Sequence, residues 1–393
     1  MARKFISGND AVAEGVRLAR PQVISAYPIT PQTIVVERLS DFCEDGSLNA
    51  IYMHVESEHS ALAAAMGVSS VGARAFTATS SQGLLHMAEN LPYASGARMP
   101  IVMMNANRAL ATPWNIYGDQ MDSMFLLNSG WIQVYVEDAQ EALDMMIQAY
   151  KIAEDKRVLA PFMVNLDGFV LTHTYEVVET PTQEEVDAYL PPLKLTENVM
   201  TLENPMSLCI SAGNNFNMEF KIKQNEEMIA SKSVIEEVNN SFAEAFGREY
   251  HGLLETIHCE DAEVILITTG SITGTSRMIL EELRKEGKKV GLLKLRYLRP
   301  FPTEAITEAL KNAKVVGIVD KNISFGYEGT IFTNVNSAIL QMGLTPKVHN
   351  FICGLGGRDV TKDNIREMYE AMLSTAAGNP GDKVQYMNVR CAL

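Results

Sequence analysis

Two prolines interrupt an apolar run in the segment VISAYPITPQT, residues 23–33. Proline fixes its own φ and has no backbone N–H, so Pro28 and Pro31 cannot continue a β-ladder. We expect Ile29 and Thr30, which lie between them, to form a stiff, extended turn after a buried parallel strand. Ligands of open α/β sheets bind beyond the carboxyl ends of the strands. The segment therefore predicts one edge of a ligand site.

Apolar strands alternate with helical stretches along most of the chain. About six strands are expected before residue 170, and the alternation returns at residue 263. Strands that alternate with helices of roughly 10 to 15 residues form mostly parallel sheets with helices on both faces. The predicted fold class is α/β, with two doubly wound domains at residues 1–175 and 258–393.

Residues 176–257 break this alternation. They contain prolines at positions 181, 191, 192 and 205, many acidic residues, and one long polar helix expected around residues 226–246. This composition is typical of a solvated spacer. We therefore assign the stretch as a linker with a helical arm.

The charge balance excludes two classes of partner. The formal net charge is −15 and no basic run is present, whereas nucleic acids and anionic membranes bind clustered cations. No window reaches the roughly 20 apolar residues of a membrane span, and the N-terminus lacks the apolar core of a signal peptide. We expect a cytoplasmic protein.

The five cysteines are too far apart for a metal site. No two of them form a C-x-x-C pair, the common spacing of zinc and iron–sulfur ligands. We expect reduced, inert thiols at Cys43, Cys209, Cys259, Cys353 and Cys391. No metal ligand is assigned in this chain.

Glu58 is the first candidate for chemistry. It lies where a predicted strand meets an alanine-rich helix, in the segment VESEHSALAAAMG. A carboxylate in this setting has little water around it and is suited to sharing a proton with a base on a ligand. The alternative is a favourable interaction with the helix N-terminus, which we prefer for Glu56.

Arg108 is the second candidate. It follows a buried strand, so its guanidinium is expected at the same sheet edge as Thr30. This placement suits bidentate binding of a small carboxylate. An ion pair with Asp119 or Asp122 explains the arginine equally well.

Other polar segments are assigned no chemistry. His59 and His86 lie on predicted helices without an acidic partner at an obvious spacing. The segment GLGGRD, residues 354–359, lacks the lysine of a phosphate loop and the G-x-G-x-x-G spacing. The pair at residues 167–168 has no asparagine spaced for a diphosphate–magnesium motif. Any diphosphate would then be held by another chain.

Seven segments together resemble one known family. In chain order they are AYPITPQT, VESEHSALAAAMG, RAFTATSSQGL, NRALATPWNIYGDQMDS, SGWIQ, LRPFP and GLGGRDVT. On these residues nearly the whole chain resembles the α subunit of the 2-oxoacid:ferredoxin oxidoreductases, most closely those of the pyruvate:ferredoxin oxidoreductase family. The resemblance implies a first domain of the type that binds the pyrimidine of thiamine diphosphate. It also implies a second domain like the transketolase C-terminal domain.

The resemblance further implies an activity and its components. A 2-oxoacid would be oxidatively decarboxylated with coenzyme A to acyl-CoA, CO2 and reduced ferredoxin, reversibly and in anaerobic metabolism. Thiamine diphosphate would be shared with a β subunit, and Mg2+ and 4Fe–4S clusters would lie on partner subunits. The partners would be β, γ and δ subunits and ferredoxin. The cofactor carries the chemistry, while the protein positions the cofactor and the substrate and polarises the reacting groups.

The same resemblance assigns residues to the site. Glu58 would hydrogen-bond the aminopyrimidine ring, and Thr30 and Arg108 would hold the keto and carboxylate groups of the substrate. The substrate pocket would be lined by Ile29, Trp114 and Ile116. The cofactor would be contacted by Pro28, Ser81 and Gln82.

Two alternatives stay open. The pair NI at residues 115–116 is similar to pyruvate enzymes, but PW at residues 113–114 is also similar to branched-chain enzymes, so 2-oxoisovalerate is the alternative substrate. A non-catalytic scaffolding homologue is the alternative of another class. The joint presence of Thr30, Glu58 and Arg108 disfavours it.

Overall fold

The structure is a computed structural model that describes residues 2–390. Cys391 lies outside the described residues, as do the two residues after it and Met1. Within the described range, strands and helices alternate along both parts of the chain, so the predicted α/β class is confirmed. No helix of this range is long and apolar enough to cross a membrane.

The elements of residues 2–390 are numbered in chain order. The strands are β1 Ala2–Ser7, β2 Val23–Ala26, β3 Ile51–His54, β4 Ala75–Thr79, β5 Val102–Asn107, β6 Ile132–Tyr135, β7 Phe162–Asp167, β8 Tyr175–Thr180, β9 Leu254–Ile257, β10 Val264–Thr268, β11 Val290–Leu295, β12 Tyr297–Arg299, β13 Val315–Asp320, β14 Lys347–Ile352 and β15 Val384–Tyr386. The helices are α1 Gly8–Ala19, α2 Thr33–Glu44, α3 Glu58–Ser70, α4 Ser81–His86, α5 Asn90–Gly96, α6 Met121–Phe125, α7 Ala139–Ala153, α8 Gln183–Tyr189, α9 Asn217–Phe246, α10 Ile272–Lys285, α11 Thr303–Leu310, α12 Thr330–Gln341 and α13 Lys362–Ala376.

The first sheet has the strand order β12-β6-β7-β5-β4-β2-β3. All neighbours are parallel except β12, which runs antiparallel to β6. Along β5, Val102 and Met104 face one core cluster and Met103 faces the other, as the two-residue period of a strand requires. Helices α1, α2 and α7 cover the first face, and α3, α4 and α5 cover the second. This sheet is doubly wound, as predicted.

The second sheet has the order β15-β14-β13-β10-β11-β9 and is parallel except at β9. Ile265 and Ile267 face one core cluster, while Val264 and Leu266 face the other. Helices α11 and α12 cover the first of these faces, and α10 and α13 cover the second. The second domain is therefore also doubly wound.

Two strand pairings cross the predicted boundaries. β8 lies in the stretch assigned to the linker, but it pairs antiparallel with β1, and Ala2 lies opposite Thr180. β12 belongs to the second domain by sequence, yet it extends the first sheet, with Tyr297 opposite Val134. At LRPFP the sequence predicts only a turn. A short strand whose partner lies far away in the sequence has no local sequence pattern that predicts the pairing.

The helical arm is longer than predicted and is partly buried. α9 begins at Asn217 instead of near residue 226. Its second half buries Val234, Val238 and Phe242 in the core beneath α7. The Tyr189 hydroxyl donates to the Val238 carbonyl at 3.0 Å. The prediction of a solvated spacer is wrong for this half, because its apolar face completes the first domain.

Candidate active site

Three loops meet at the carboxyl edge of the first sheet. Residues 27–32 follow β2, residues 80–83 include the turn after β4, and residues 108–120 follow β5. These strands are neighbours in the order β5-β4-β2, so the loops converge where an open sheet binds its ligands. Glu58 stands beside them at the start of α3, after the edge strand β3.

Side-chain amides anchor the loop after β2. Gln32 Nε2 donates to the carbonyls of Tyr27, at 2.9 Å, and Ala78, at 3.2 Å. Asn9 Nδ2 donates to the Pro31 carbonyl at 2.8 Å. The loop is thereby tied both to α1 and to the end of β4, which holds the proline turn in one position.

The predicted site residues of this loop lie towards solvent. Thr30 and Pro28 are exposed and Ile29 is half-buried. The Thr30 carbonyl accepts a hydrogen bond from Arg108 Nη1 at 2.7 Å, so the structure brings the two predicted substrate contacts together. The Thr30 hydroxyl makes no hydrogen bond within the described residues and is available to a ligand.

Glu58 is buried with one carboxylate oxygen unused. It is the first residue of α3, which Ser57 caps by accepting a hydrogen bond from the Ser60 N–H at 3.2 Å. Only 7% of Glu58 is exposed. Oε2 lies 3.3 Å from His86 Nδ1, whereas Oε1 has no hydrogen-bond partner among residues 2–390. The free oxygen can therefore accept or share a proton with a ligand.

The histidines beside Glu58 do have acidic partners. Neither partner lies at an obvious spacing along the chain: Glu58 contacts His86 from another helix. His59 Nε2 lies 3.4 Å from Oε2 of Glu89, which immediately precedes α5. Contacts between helices do not follow a fixed spacing along the chain, so no local signal could have shown them.

Carbonyl groups hold the Arg108 side chain. Besides its bond to Thr30, it donates from Nε to the Asn115 carbonyl at 3.3 Å, and its Cζ lies 5.9 Å from the Trp114 ring centroid. Within the part of the chain described, no carboxylate forms an ion pair with it, so the alternative of a pairing with a nearby aspartate is not observed. Burial lowers the pKa of the guanidinium from its usual value. The charge of Asp122 acts in the opposite direction. A poorly hydrated guanidinium whose side chain forms no ion pair in the described range is a good site for a small carboxylate.

A buried aspartate joins two of the loops. Asp122 is completely buried. Its oxygens accept five hydrogen bonds of 2.8 to 3.3 Å, from the backbone N–H groups of Ser81, Arg108 and Ser123 and from the side-chain amides of Asn105 and Asn107. Burial raises the pKa of Asp122 to about 6, although these bonds oppose the rise. Sequence spacing suggested Asp122 only as a partner for the arginine side chain, and its joining role was missed.

The loop after β5 rests on the second domain. Asn115 Nδ2 donates to the Gly356 carbonyl at 2.9 Å, and the Gly356 N–H donates to Asp119 Oδ2 at 2.9 Å. The Gly-rich turn therefore braces this loop. Trp114 is 72% exposed and Ile116 is half-buried, so the predicted pocket residues form the outer side of the loop.

Ser81 and Gln82 differ in what they offer to a cofactor. The buried Ser81 hydroxyl donates to the Ala109 carbonyl at 2.7 Å, and its N–H donates to Asp122. Gln82 is half-buried, and its Nε2 has no hydrogen-bond partner in the described range. Gln82 is therefore the more available of the two.

The surroundings of Glu58 fit a flat, nitrogen-containing ring. A Cβ at Gly83 would stand 2.6 Å from Glu58 Oε1 and 2.7 Å from Thr79 Oγ1, so only glycine leaves space there. Gly83 thereby lets α4 pack closely against the Glu58 carboxylate. The buried Thr79 hydroxyl has no hydrogen-bond partner within residues 2–390. A carboxylate oxygen and a hydroxyl that both lack partners in this range suit the amino group and ring nitrogens of the aminopyrimidine that the sequence resemblance implies.

Within residues 2–390, no group of three or more His, Cys, Asp or Glu side chains could hold a metal ion. Asp167 instead joins the domains, accepting hydrogen bonds from Lys321 Nζ at 2.7 Å and from the Ser271 hydroxyl at 2.6 Å. Burial acts to raise the pKa of Asp167, but Lys321 and Ser271 bring it below its usual value.

Family models and curated relatives match nearly the whole chain. Residues 14–240 match the model for pyruvate flavodoxin/ferredoxin oxidoreductase, thiamine diP-binding, and residues 262–365 match pyruvate:ferredoxin oxidoreductase core domain II. Pyruvate synthase subunit PorA of Methanothermobacter thermautotrophicus is 50% identical over 94% of both chains. Ketoisovalerate oxidoreductase subunit VorA of Pyrococcus horikoshii is 43% identical over 97% of this chain and 96% of its own.

Two solved structures share the fold. The 2-oxoglutarate:ferredoxin oxidoreductase from Magnetococcus marinus superposes with a TM-score of 0.72 at 22% identity, over 94% of this chain and 65% of its own. A split-gene transketolase superposes with a TM-score of 0.56 at 11% identity, over 94% of this chain and 99% of its own. The chain spans about 65% of the first structure's chain. At these identities, the likeness concerns the fold alone.

Asp122→Asn should remove one contribution to the pH dependence of stability between pH 4 and pH 6, so that stability falls less, or rises more, with pH than in the native protein. The native carboxyl keeps its proton up to about pH 6, whereas an unfolded aspartate loses it near pH 4. Folding therefore takes up a proton in this window, and stability falls as the pH rises, by up to about 1.4 kcal/mol per pH unit. Urea unfolding at pH 4, 5, 6 and 7 gives the slope, with the exposed Asp41→Asn as control. Equal slopes in the native protein and Asp122→Asn would contradict the raised pKa.

Proposed function

The chain belongs to the pyruvate:ferredoxin oxidoreductase family, and we propose that it is the α subunit of a pyruvate synthase. The assembled enzyme would decarboxylate pyruvate oxidatively with coenzyme A to acyl-CoA, CO2 and reduced ferredoxin, in a reversible reaction. Identities of 50% and 48% to two pyruvate synthase subunits support this substrate. The observation that carries the proposal is the meeting of Thr30, Arg108 and the buried Glu58 at one sheet edge.

Glu58 is proposed to bind the aminopyrimidine ring of thiamine diphosphate. Its Oε1 has no hydrogen-bond partner in the described part of the chain, and the burial of the carboxyl group strengthens any hydrogen bond made there. Thiamine diphosphate, when bound, supplies the carbon nucleophile and accepts the electron pair released with CO2. Glu58 holds or donates a proton at Oε1, which sets the protonation of the ring. Pro28, Ser81 and Gln82 would complete the wall around it.

Arg108 is proposed to bind the substrate carboxylate and Thr30 its keto oxygen. A guanidinium has five N–H donors, and only two of the Arg108 nitrogens are occupied by the carbonyl contacts. The remaining donors suit a planar carboxylate. The Thr30 hydroxyl, which makes no other hydrogen bond within residues 2–390, donates to the keto oxygen and polarises it. Ile29, Ile116 and Trp114 would enclose the substrate side chain.

The other components are assigned to partner subunits. The cysteines of this chain lack iron–sulfur spacing, so we place the 4Fe–4S clusters on partners. We also place Mg2+ and the diphosphate end of the cofactor on a β subunit. The curated relatives are named as subunits, which supports an assembly with β, γ and δ chains that passes electrons to ferredoxin.

A branched-chain 2-oxoacid is the second candidate substrate. Relatives named ketoisovalerate oxidoreductase subunits reach 43% and 44% identity over most of the chain. The predicted pocket wall at Trp114 is mostly exposed in this chain, so the pocket size depends on what covers that loop in the complex. Thr30 and Arg108 would bind either substrate through the same two groups.

The co-purified complex should reduce ferredoxin with pyruvate in preference to 2-oxoisovalerate and 2-oxoglutarate. The assay contains coenzyme A and thiamine diphosphate and measures kcat/KM for each 2-oxoacid. Preference for 2-oxoisovalerate would keep the mechanism and overturn the substrate. No reduction with any of them, in a complex that contains cofactor and clusters, would favour the scaffolding homologue.

Arg108→Ala should raise the KM for pyruvate by about ten- to hundredfold. The reason is the loss of a charge-assisted hydrogen bond, worth about 1.5 to 3 kcal/mol. Steady-state kinetics of the assembled complex measures the effect. Arg366→Ala is the control, because Arg366 forms its ion pairs in the second domain. A KM equal to the native value would show that Arg108 only braces the loop.

A further inference from the structure

The contact between His86 and Glu58 differs from the other histidine–acid pairs of residues 2–390. Those pairs involve carboxylates that are well exposed or that Arg277 already binds, at Glu89, Glu249, Glu255 and Glu281. The Glu58 side chain is only 10% exposed, and His86 is its one hydrogen-bonding neighbour in the described range. Exposed ion pairs contribute little, whereas the Glu58 carboxylate is largely removed from water, where a hydrogen bond is electrostatically stronger.

The geometry of this contact fixes the two oxygens of Glu58 in different roles. With Oε1 as the oxygen that holds or shares a proton, Oε2 is an acceptor, so this contact requires the proton of His86 on Nδ1. The bond at 3.3 Å occupies Oε2 and restricts rotation of the carboxyl plane. Oε1 then stays on the side of Gly83, where no Cβ intervenes.

The position of His86 is itself held by the core of the site. His86 is the last residue of α4, which begins at Ser81. The Ser81 N–H donates to the buried Asp122 at 3.0 Å. The helix that carries the imidazole is therefore anchored to the same carboxylate that orders the Arg108 loop.

We propose that His86 is a positioning residue for Glu58: its Nδ1–H holds Oε2, so that Oε1 faces the aminopyrimidine ring. The inference rests on the proposed role of Glu58 in cofactor binding. His86 does not touch the substrate, and its contribution is to keep the carboxyl group in one orientation. His59, whose ring centroid lies 6.1 Å from that of His86, is the other titratable group recorded against it in the described range.

Two substitutions separate the N–H group from the bulk of the side chain. The His86 side chain is 56% exposed, so its replacement opens no core cavity. His86→Asn keeps an N–H donor close to the position of Nδ1, and His86→Leu keeps volume without a donor. His258→Leu is the matched control, because His258 Nε2 lies 3.2 Å from the exposed Glu281 in the second domain.

The assembled complex is assayed for kcat and for the KM of pyruvate, and calorimetric titration without substrate gives the thiamine diphosphate concentration that half-saturates it. His86→Leu should lower kcat about tenfold and raise that concentration about tenfold, in line with one hydrogen bond to a charged group. The pyruvate KM should stay within about twofold, since Arg108 is untouched. His86→Asn should recover most of the loss, and His258→Leu should match the native enzyme.

Native kinetics in His86→Leu would overturn the inference, and so would an equal loss in His86→Asn and His86→Leu. Glu58→Gln, assayed in parallel, distinguishes a failure of the role proposed for His86 from a failure of the role proposed for Glu58. If Glu58→Gln is inactive while His86→Leu is normal, only the role of His86 fails. If Glu58→Gln is fully active, the proposed role of Glu58 fails, and that of His86 fails with it.

Discussion

The arrangement of the site depends on one buried carboxylate. Asp122 has no exposure to solvent, yet it accepts N–H groups from the start of α4 at Ser81 and from Arg108 after β5. A buried carboxylate that lost its donors would cost several kcal/mol, so these two segments are held within its reach. The distance between Arg108 and the α4 helix is thereby set. Glu58 packs against that helix at Gly83, so the position of the proposed cofactor contact follows from the same constraint.

Buried ion pairs connect the second domain to the elements that hold the site. Asp167 accepts a hydrogen bond from Lys321, and Glu141 accepts from Lys294 at 2.8 Å and from Arg296 at 2.7 Å. Burial acts to raise the pKa of Glu141, but the two cations hold it at about 2. Each carboxylate without its cation would be an uncompensated buried charge. The second domain thus keeps the carboxyl edge of the first sheet in place, although no substrate contact is assigned to it.

Local sequence patterns predicted most of the helices and strands, but they did not predict contacts between residues that lie far apart in the sequence. Apolar periodicity gave α7 at residues 139–153 and the strand β2 before the prolines, because both signals lie within a few consecutive residues. β12 and the contact of His86 with Glu58 were missed, since their partners lie on other elements. Glu58 and Arg108 could be proposed as site residues because they follow strands in recognisable segments. The acid in MDSMF, residues 121–125, could have drawn attention to Asp122, as three of the other four residues of this segment are apolar.

An experimental structure of the assembled complex with thiamine diphosphate and pyruvate bound tests the central claim most directly. The distance to measure joins Glu58 Oε1 to the nearest nitrogen of the aminopyrimidine ring, and a second joins the Arg108 guanidinium to the pyruvate carboxylate. Both should fall within hydrogen-bond range, about 2.7 to 3.2 Å. A cofactor ring bound by other residues, with Glu58 out of contact, would contradict the proposed site.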